Sequence, residues 1–288
     1  MSALISNLVH KEIQQLIGMG WKDFPFSEEA NLFVAVRMSD SEVSFPHESY
    51  DLGVGNQELS GVWVKHRAKT ILRFLRQSEA KILWEIGSGH GNVAINLQQN
   101  NIAVIGVEPL YHGAAITAKA GVRTYLGTFE SLKLPSNSLA AIGVFDVLEH
   151  LDNPEDLLSE VYRVLKPGGQ LLVSVPAHQW LFSDFDESIG HFRRYSKKLL
   201  SETLQRAGFI KTKTEFMFST FVIPALILRK LPSLLGRKRK LKETLRSCSI
   251  LNAVLNRLEP LLKPLFVLER LTRLPFGLSL FSVSEKRV

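Results

Sequence analysis

Cysteine is nearly absent: Cys248 is the single one in 288 residues. One thiol can form neither an intramolecular disulfide nor a cysteine-rich zinc module, and it suits a reducing compartment. The eight histidines are scattered, with no HExxH pair and no cysteine beside them, so no metal ligand set is expected. Long apolar runs are missing too. The most apolar uncharged stretch of the tail, Phe216 to Leu228, has 13 residues and contains Pro224, which is too short to span a bilayer. The apolar start, Ala3 to Val9, is broken by Ser6 and Asn7, and no small-residue cleavage site follows it. No signal peptide is expected, and the expected location is cytoplasmic. Internal repeats and low-complexity tracts are also lacking.

What is present is an ordinary globular balance, 45% apolar and 22% charged, which excludes a mainly disordered or collagen-like chain. The length suits one or two domains. The net charge of +7 is unevenly spread: residues 229–288 hold 14 Lys/Arg against 4 Asp/Glu, and the first 228 hold 21 against 24. Basicity is therefore a C-terminal property, and no nucleic-acid partner is expected.

Helical spacing of Leu4, Leu8, Ile13 and Leu16-Ile17 suggests a first amphipathic helix, and the 37–61 stretch reads as irregular. Val64, Ala68, Ile71, Leu72 and Leu75 predict a second helix, up to about Arg76. From residue 81 short apolar runs alternate with helical patterns. Strands are predicted at 81–86, 102–107, 122–126, 140–145 and 170–175, and helices around 91–99, 112–120, 155–165 and 197–207. Lys166-Pro167-Gly168-Gly169 reads as a helix stop followed by a turn. Strands buried on both faces and separated by helices imply an α/β fold with a parallel sheet. Residues 210–219 and 278–284 supply a sixth and a seventh strand, separated by some fifty residues rich in Leu, Lys and Arg and broken by prolines.

The first strand runs into Glu85-Ile86-Gly87-Ser88-Gly89-His90-Gly91 and then a helix. Glycines let a ligand approach the backbone, and the helix amino terminus offers free N–H groups. Glu108 ends the next strand, where an acid can accept both hydroxyls of a ribose. A plain tight turn with a surface glutamate is the alternative. The Gly-x-Gly-x-Gly spacing, with Glu85 just ahead, disfavours a pyrophosphate, which an adjacent acid would repel. An ammonium-bearing amino-acid end suits it better.

Residues 81–176 resemble the core of class I S-adenosylmethionine-dependent methyltransferases. The resemblance rests on the Glu85–Gly91 loop, VIGVEP at 104–109, GTFESLKLP at 127–135, FDVLEHLDNPEDLLSEVYRVLKPGG at 145–169 and LLVSVP at 171–176. It covers about a third of the chain. It implies a Rossmann-like, seven-stranded, mostly parallel sheet with helices on both faces, and S-adenosyl-L-methionine as cofactor. Domains follow: a helical cap at 1–77, the cofactor-binding core at 78–219, a helical insertion or lid at 220–273 and the final strand at 274–288. The implied cofactor residues are Glu85, Gly87, Gly89, Gly91, Glu108, Pro109, Thr128, Phe129, Phe145 and Asp146. The family often has Asp where Thr128 stands, so charge assistance at the adenine is lost there.

Methyl transfer from a sulfonium is an in-line displacement in which the protein positions the acceptor and, where necessary, takes its proton. His150 has a suitable unperturbed pKa for a base, or is a turn histidine bonded to backbone. After strand five, His178, Trp180, Asp184, Asp186, His191, Arg193, Arg194 and Tyr195 form a dense polar run. It resembles a subgroup with a GHxRRYS loop at this place. His191 is the second candidate catalytic residue, and His178, Trp180, Arg194 and Tyr195 are candidate acceptor contacts. The alternative is a structural network in which the two aspartates neutralise the two arginines. On the preceding helix Trp63, His66 and Arg67 lie near one face, either covering the cleft or packing in the core.

Residues 216–272 combine Phe216, Phe218, Phe221, Leu226 and Leu228 with the cluster Arg237-Lys238-Arg239-Lys240. Two readings stand: an interfacial segment on an anionic membrane, and a helical lid with a solvated basic side. The expected acceptor is a small molecule, a glycan or a lipid-linked compound. A Rossmann-type oxidoreductase and a non-catalytic cofactor-binding or membrane-surface module are the competing functions. The oligomeric state is not readable.

Overall fold

A computed structural model describes residues 3–27, 32–35, 61–75, 80–236, 253–272 and 274–288. Its centre is set by two short apolar strands, β3 (Ile82–Ile86) and β4 (Ala103–Glu108), in which every residue is buried. Strands of that kind need cover on both faces. With β5 (Arg123–Leu126), β6 (Leu139–Phe145) and β7 (Leu165–Pro176) they pair in parallel in the order β5-β4-β3-β6-β7. The connecting helices are α3 (Asn92–Gln99), α4 (Tyr111–Lys119) and α5 (Pro154–Val164). α5 starts with Pro154 in its first turn beside Glu155 and Asp156, the preferred chemistry for a helix start. It buries Leu157, Leu158, Val161 and Val164, roughly 1.5–3 kcal/mol each when fully covered.

The chain leaves β3 for β4 and β5 on one side, then returns to β6 on the other. The order of strands thus reverses between β3 and β6, and a crevice opens beyond their carboxyl ends. Glu85–Gly87 and Phe145–Asp146 stand at that crevice because they end these two strands.

At the far edge β8 (Ile210–Met217) and β9 (Ser279–Glu285) add antiparallel, with β9 between β7 and β8. These seven strands are the seven expected. The sheet is nevertheless nine-stranded among the described residues, because the amino-terminal segment supplies β1 (Phe26–Ser27) and β2 (Leu32–Val34). β2 pairs in parallel with β5, extending the opposite edge. The expected helical cap is thus partly strand. Two and three residues are too few for a period-2 pattern to be read. At Lys166–Gly169 the expected helix stop holds, since α5 ends at Val164, but the expected turn does not: the segment belongs to β7, whose pairing with β6 jumps from Leu139–Leu165 to Ala141–Gln170.

Helix α1 (Ala3–Gly18) packs Ile5, Val9, Ile13 and Leu16 into the main core, and Trp21 donates to the Leu132 carbonyl at 2.7 Å. Helix α2 (Val62–Leu75) lies on the other face with α3. Between β8 and β9, helical turns run from Val222 to Leu234 and a further helix spans Glu259–Thr272. The inner side of this stretch is fastened to α2. Trp63 stacks on Phe218 with ring centroids 3.5 Å apart, and Glu269 accepts from the Phe218 and Ser219 amides and faces His66 at 3.4 Å. Its outer side exposes Ile223, Leu234, Leu235, Leu261 and Leu271. Arg237–Lys240 lie outside the described residues. No helix among the described residues is long and apolar enough to cross a membrane.

Candidate functional site

The crevice at the strand reversal is a cavity of about 610 Å³. Glu85, Gly87, Gly89, Glu108, Pro109, Thr128, Phe129, Phe145, Asp146 and His150 all line it. Gly91 does not. It caps α3 at φ +75°, and a Cβ there would meet the Thr117 hydroxyl at 2.9 Å. Its lack of a side chain lets α3 and α4 close together. Gly87 has φ +70°, and a Cβ on it would strike Val147 at 2.5 Å. The loop keeps its shape through Thr117, which donates to the Gly89 carbonyl at 2.8 Å.

Two carboxylates flank the loop. Glu108 accepts from the Gly89 amide at 2.7 Å and from the Leu110 amide at 3.0 Å, so it ties β4 to the glycine turn. Glu85 is buried, and its Oε2 has no hydrogen-bond partner. Burial pushes its pKa up to about 8, against the opposing pull of the Arg67 charge; the nearby Glu108 adds to the rise, and the Ala94 amide lowers it. An orphaned carboxylate oxygen on a cavity wall calls for a cationic partner.

On the adenine side expected from the resemblance, Thr128 accepts weakly from the Ser131 amide at 3.3 Å, while Phe129 is buried. His90 also lines the cavity. Burial, with His112 nearby, lowers its pKa to about 4. Arg67 reaches the cavity from α2 and pairs with Asp146, which holds φ +55° and accepts from Ser174 at 3.0 Å. Of the three helix residues read together, Arg67 faces the cleft, whereas Trp63 and His66 face the insertion. Spacing placed them near one face but could not divide them between two neighbours.

The polar run after β7 forms a second layer. Asp186 is fully buried and caps its own short helix, α6 (Asp184–Ser188), by accepting from Ser183 at 3.0 Å. Its other oxygen holds Arg194 Nε at 2.8 Å and His191 Nδ1 at 3.0 Å. Arg194 also donates to the Ala177 carbonyl, and Tyr195 donates to the Leu148 carbonyl at 3.2 Å. Both side chains are buried behind the cavity wall. His178 sits at φ +65° with its ring stacked on Phe216, and Trp180 is exposed beside it. None of these four lines the cavity. The pairing of Asp186 with Arg194 is the structural network; Arg193 turns instead to Asp152.

His150 meets His191 edge to face, 4.6 Å between ring centroids, and its Nδ1 lies 3.2 Å from the Gly190 carbonyl. Burial lowers its pKa to about 3. Glu149 is fully buried with neither oxygen hydrogen-bonded, and burial raises its pKa well above the usual range. Sequence reasoning did not single out Glu149, and it left covering the cleft as one of two readings for Arg67. An acid inside a short turn shows no period that would mark it as buried.

A family model described as "Methyltransferase domain" matches residues 63–213, just over half of the chain. Among curated proteins, a "Probable S-adenosylmethionine-dependent methyltransferase" of Mycolicibacterium smegmatis is 29% identical over 153 residues, 51% of this chain and 59% of that protein. Phosphoethanolamine N-methyltransferase 2 of Caenorhabditis elegans is 23% identical over 196 residues, 60% of this chain and 43% of that protein. The chain thus spans about half the length of the curated relatives it matches. Two solved structures share the fold. One is a SAM-dependent methyltransferase from Archaeoglobus fulgidus, with a TM-score of 0.53, 19% identity, and coverage of 78% of this chain and 93% of that one. The other is Haemonchus contortus phosphoethanolamine N-methyltransferase 2 in complex with S-adenosyl-L-methionine, with a TM-score of 0.51, 18% identity, and coverage of 76% and 53%.

Proposed function

The chain belongs to the methyltransferase-domain family, and from that premise we propose that it transfers a methyl group from S-adenosyl-L-methionine to a small-molecule, glycan or lipid-linked acceptor. The observation that carries this reading is the unpartnered Oε2 of buried Glu85 on the cavity wall. The cofactor's amino-acid end brings an ammonium, which suits that oxygen. Glu108, already turned between the glycine loop and α4, is the ribose acceptor. Thr128 and Phe129 border the adenine, Pro109 and Phe145 wall the cleft, and Gly87 and Gly89 admit the ligand to the backbone. When bound, the cofactor supplies an electrophilic methyl on a sulfonium.

The acceptor side is proposed as the part of the same cavity that His150, Asp152 and Phe192 line. His150 and, through its contact with it, His191 are the residues proposed to act on the acceptor. The loop containing Gly190-His191-Phe192-Arg193-Arg194-Tyr195-Ser196 is the element that matches the subgroup pattern. Within it Arg194 and Tyr195 act by positioning, because their polar atoms are spent on Asp186 and on carbonyls. His178 and Trp180 are the proposed outer acceptor contacts.

The test is calorimetry with S-adenosylhomocysteine on the wild type, Glu85→Gln and Glu108→Ala. Unchanged affinity in both variants refutes the assignment. Binding of a reduced dinucleotide instead would favour the oxidoreductase reading.

A second reading concerns the insertion, proposed as a peripheral contact with an anionic membrane. The exposed row Ile223, Ile227, Leu234 and Leu235 leads directly into residues 237–246, where six of ten residues are Lys or Arg. An apolar surface beside a polybasic run is the composition of an interfacial segment.

A further inference from the structure

We propose that Glu149, His150 and His191 form a binding site for a divalent transition-metal cation in the wall of the cleft. A carboxylate oxygen of Glu149 and one ring nitrogen of each histidine lie within 4.8 Å of one another. Glu149 Oε1 is 3.9 Å from His191 Nε2. A cation about 2.0–2.2 Å from each of three tetrahedrally disposed ligand atoms sets them about 3.3–3.6 Å apart. The Glu149–His191 pair is within about half an ångström of that spacing. Any wider pair needs to close by up to about 1.5 Å, which rotation of the side chains supplies.

Three features separate this cluster from a chance meeting of polar groups. Glu149 is fully buried and neither of its oxygens has a hydrogen-bond partner. Such a carboxylate is costly unless something positive faces it. The neighbouring arginines are already committed, Arg67 to Asp146 and Arg194 to Asp186. The two pairs leave Glu149 as the carboxylate of the group without a cation of its own.

The second feature is the tautomer of His191. Its Nδ1 stands 3.0 Å from Asp186 Oδ1, and Asp186 is itself fixed by Arg194 and by the Ser183 amide. A carboxylate that accepts from Nδ1–H turns the Nε2 lone pair outward, here toward Glu149. The same carboxylate–imidazole arrangement orients metal ligands and raises their basicity.

The third is access. Of the three ligands His150 lines the cleft and Glu149 and His191 do not, so an ion would reach the site past the His150 ring. Two imidazoles and one carboxylate favour a borderline cation such as Zn²⁺ or Co²⁺ over Mg²⁺ or Ca²⁺, which prefer all-oxygen shells. The composition gave no sign of this site, because Glu149 and His150 are adjacent while His191 comes from another loop. Its role in turnover rests on the proposed placement of the acceptor in this cleft, where an ion would hold an acceptor oxygen.

The experiment uses the full chain, freed of metal by chelation and titrated calorimetrically with Zn²⁺ at pH 7.5. One ion per chain is expected, with a micromolar or lower Kd. Glu149→Gln and His191→Ala should each weaken it by about tenfold or more, and Asp186→Asn by about tenfold through His191. Wild-type protein loaded with Co²⁺ should show paramagnetically shifted imidazole N–H signals from two histidines, a readout that needs no variant to fold. A wild type that takes up no stoichiometric Zn²⁺, or unchanged affinity in folded Glu149→Gln and His191→Ala, overturns the site. S-adenosylhomocysteine affinity is measured in the same samples. Cofactor binding without metal binding removes the cation site alone; metal binding without cofactor binding supports the site and removes the cofactor reading.

Discussion

Cofactor affinity should depend steeply on pH through Glu85. In the ligand-free protein this carboxyl has a pKa of about 8, raised by burial, whereas in an unfolded chain it titrates near 4.5. A bound ammonium next to the free Oε2 requires the ionised form, so the ligand must displace a proton at any pH below 8. Each pH unit below that value costs about 1.4 kcal/mol, or tenfold in Kd. Affinity for S-adenosylhomocysteine should therefore tighten about 50-fold, roughly 2.3 kcal/mol, between pH 6 and pH 8, and level off within about a further twofold. Calorimetry in two buffers of different ionisation enthalpy should detect close to one proton released per ligand at pH 6.5. Glu85→Gln should bind weakly at every pH and release no such proton, which subtracts the ligand's own titration. Stability has the opposite sign. The folded apo protein binds an extra proton between pH 4.5 and 8, so Glu85 makes it less stable as pH rises through that window, and Glu85→Gln should flatten the trend. A wild-type Kd that moves less than threefold between pH 6 and 8, or an equal slope in the variant, refutes the reasoning.

Glu108→Ala should weaken cofactor binding by about 1.5–3 kcal/mol, read by calorimetry, because a charged acceptor is lost. It should also lower the melting temperature, since the Gly89 and Leu110 amides lose their partner. Arg194→Ala leaves Asp186 buried without its cation, and denaturant unfolding should show a loss of about 3–5 kcal/mol. His191→Gln should depress turnover of an identified acceptor far more than S-adenosylhomocysteine affinity, and equal losses in both would remove it from the acceptor side. The protein should co-sediment with anionic vesicles at low salt, release as salt rises and ignore neutral vesicles. Each engaged basic residue is worth about 1 kcal/mol, so neutralising Arg237–Lys240 should abolish retention.

The alternation of apolar runs with helical spacing was enough to determine the central sheet. Apart from Glu85 and Glu108 near their carboxyl ends, β3 and β4 carry no charged residue on either face, the pattern of strands in a doubly covered parallel sheet. The glycine turn and Glu108 were legible for a related reason: they are local, joined to strand ends by a few residues, and their chemistry is set by backbone geometry. Prolines and basic residues suggested a helical insertion, and of it the described residues show helical turns from Val222 to Leu234 and a helix at Glu259–Thr272. Sequence could not decide what depends on who faces whom. Arg194 and Arg67 are both arginines near the site by reading, yet one is buried against Asp186 and the other reaches the cavity to meet Asp146. Gly91 was grouped with the ligand glycines, but the approach of Thr117 from a helix some 26 residues later accounts for it. Glu149 looks like any solvated acid until the 190–195 loop closes over it, with the Phe192 amide bonded to its carbonyl. Burial and charge pairing are properties of surfaces brought together from distant segments, so only the tertiary structure could assign them.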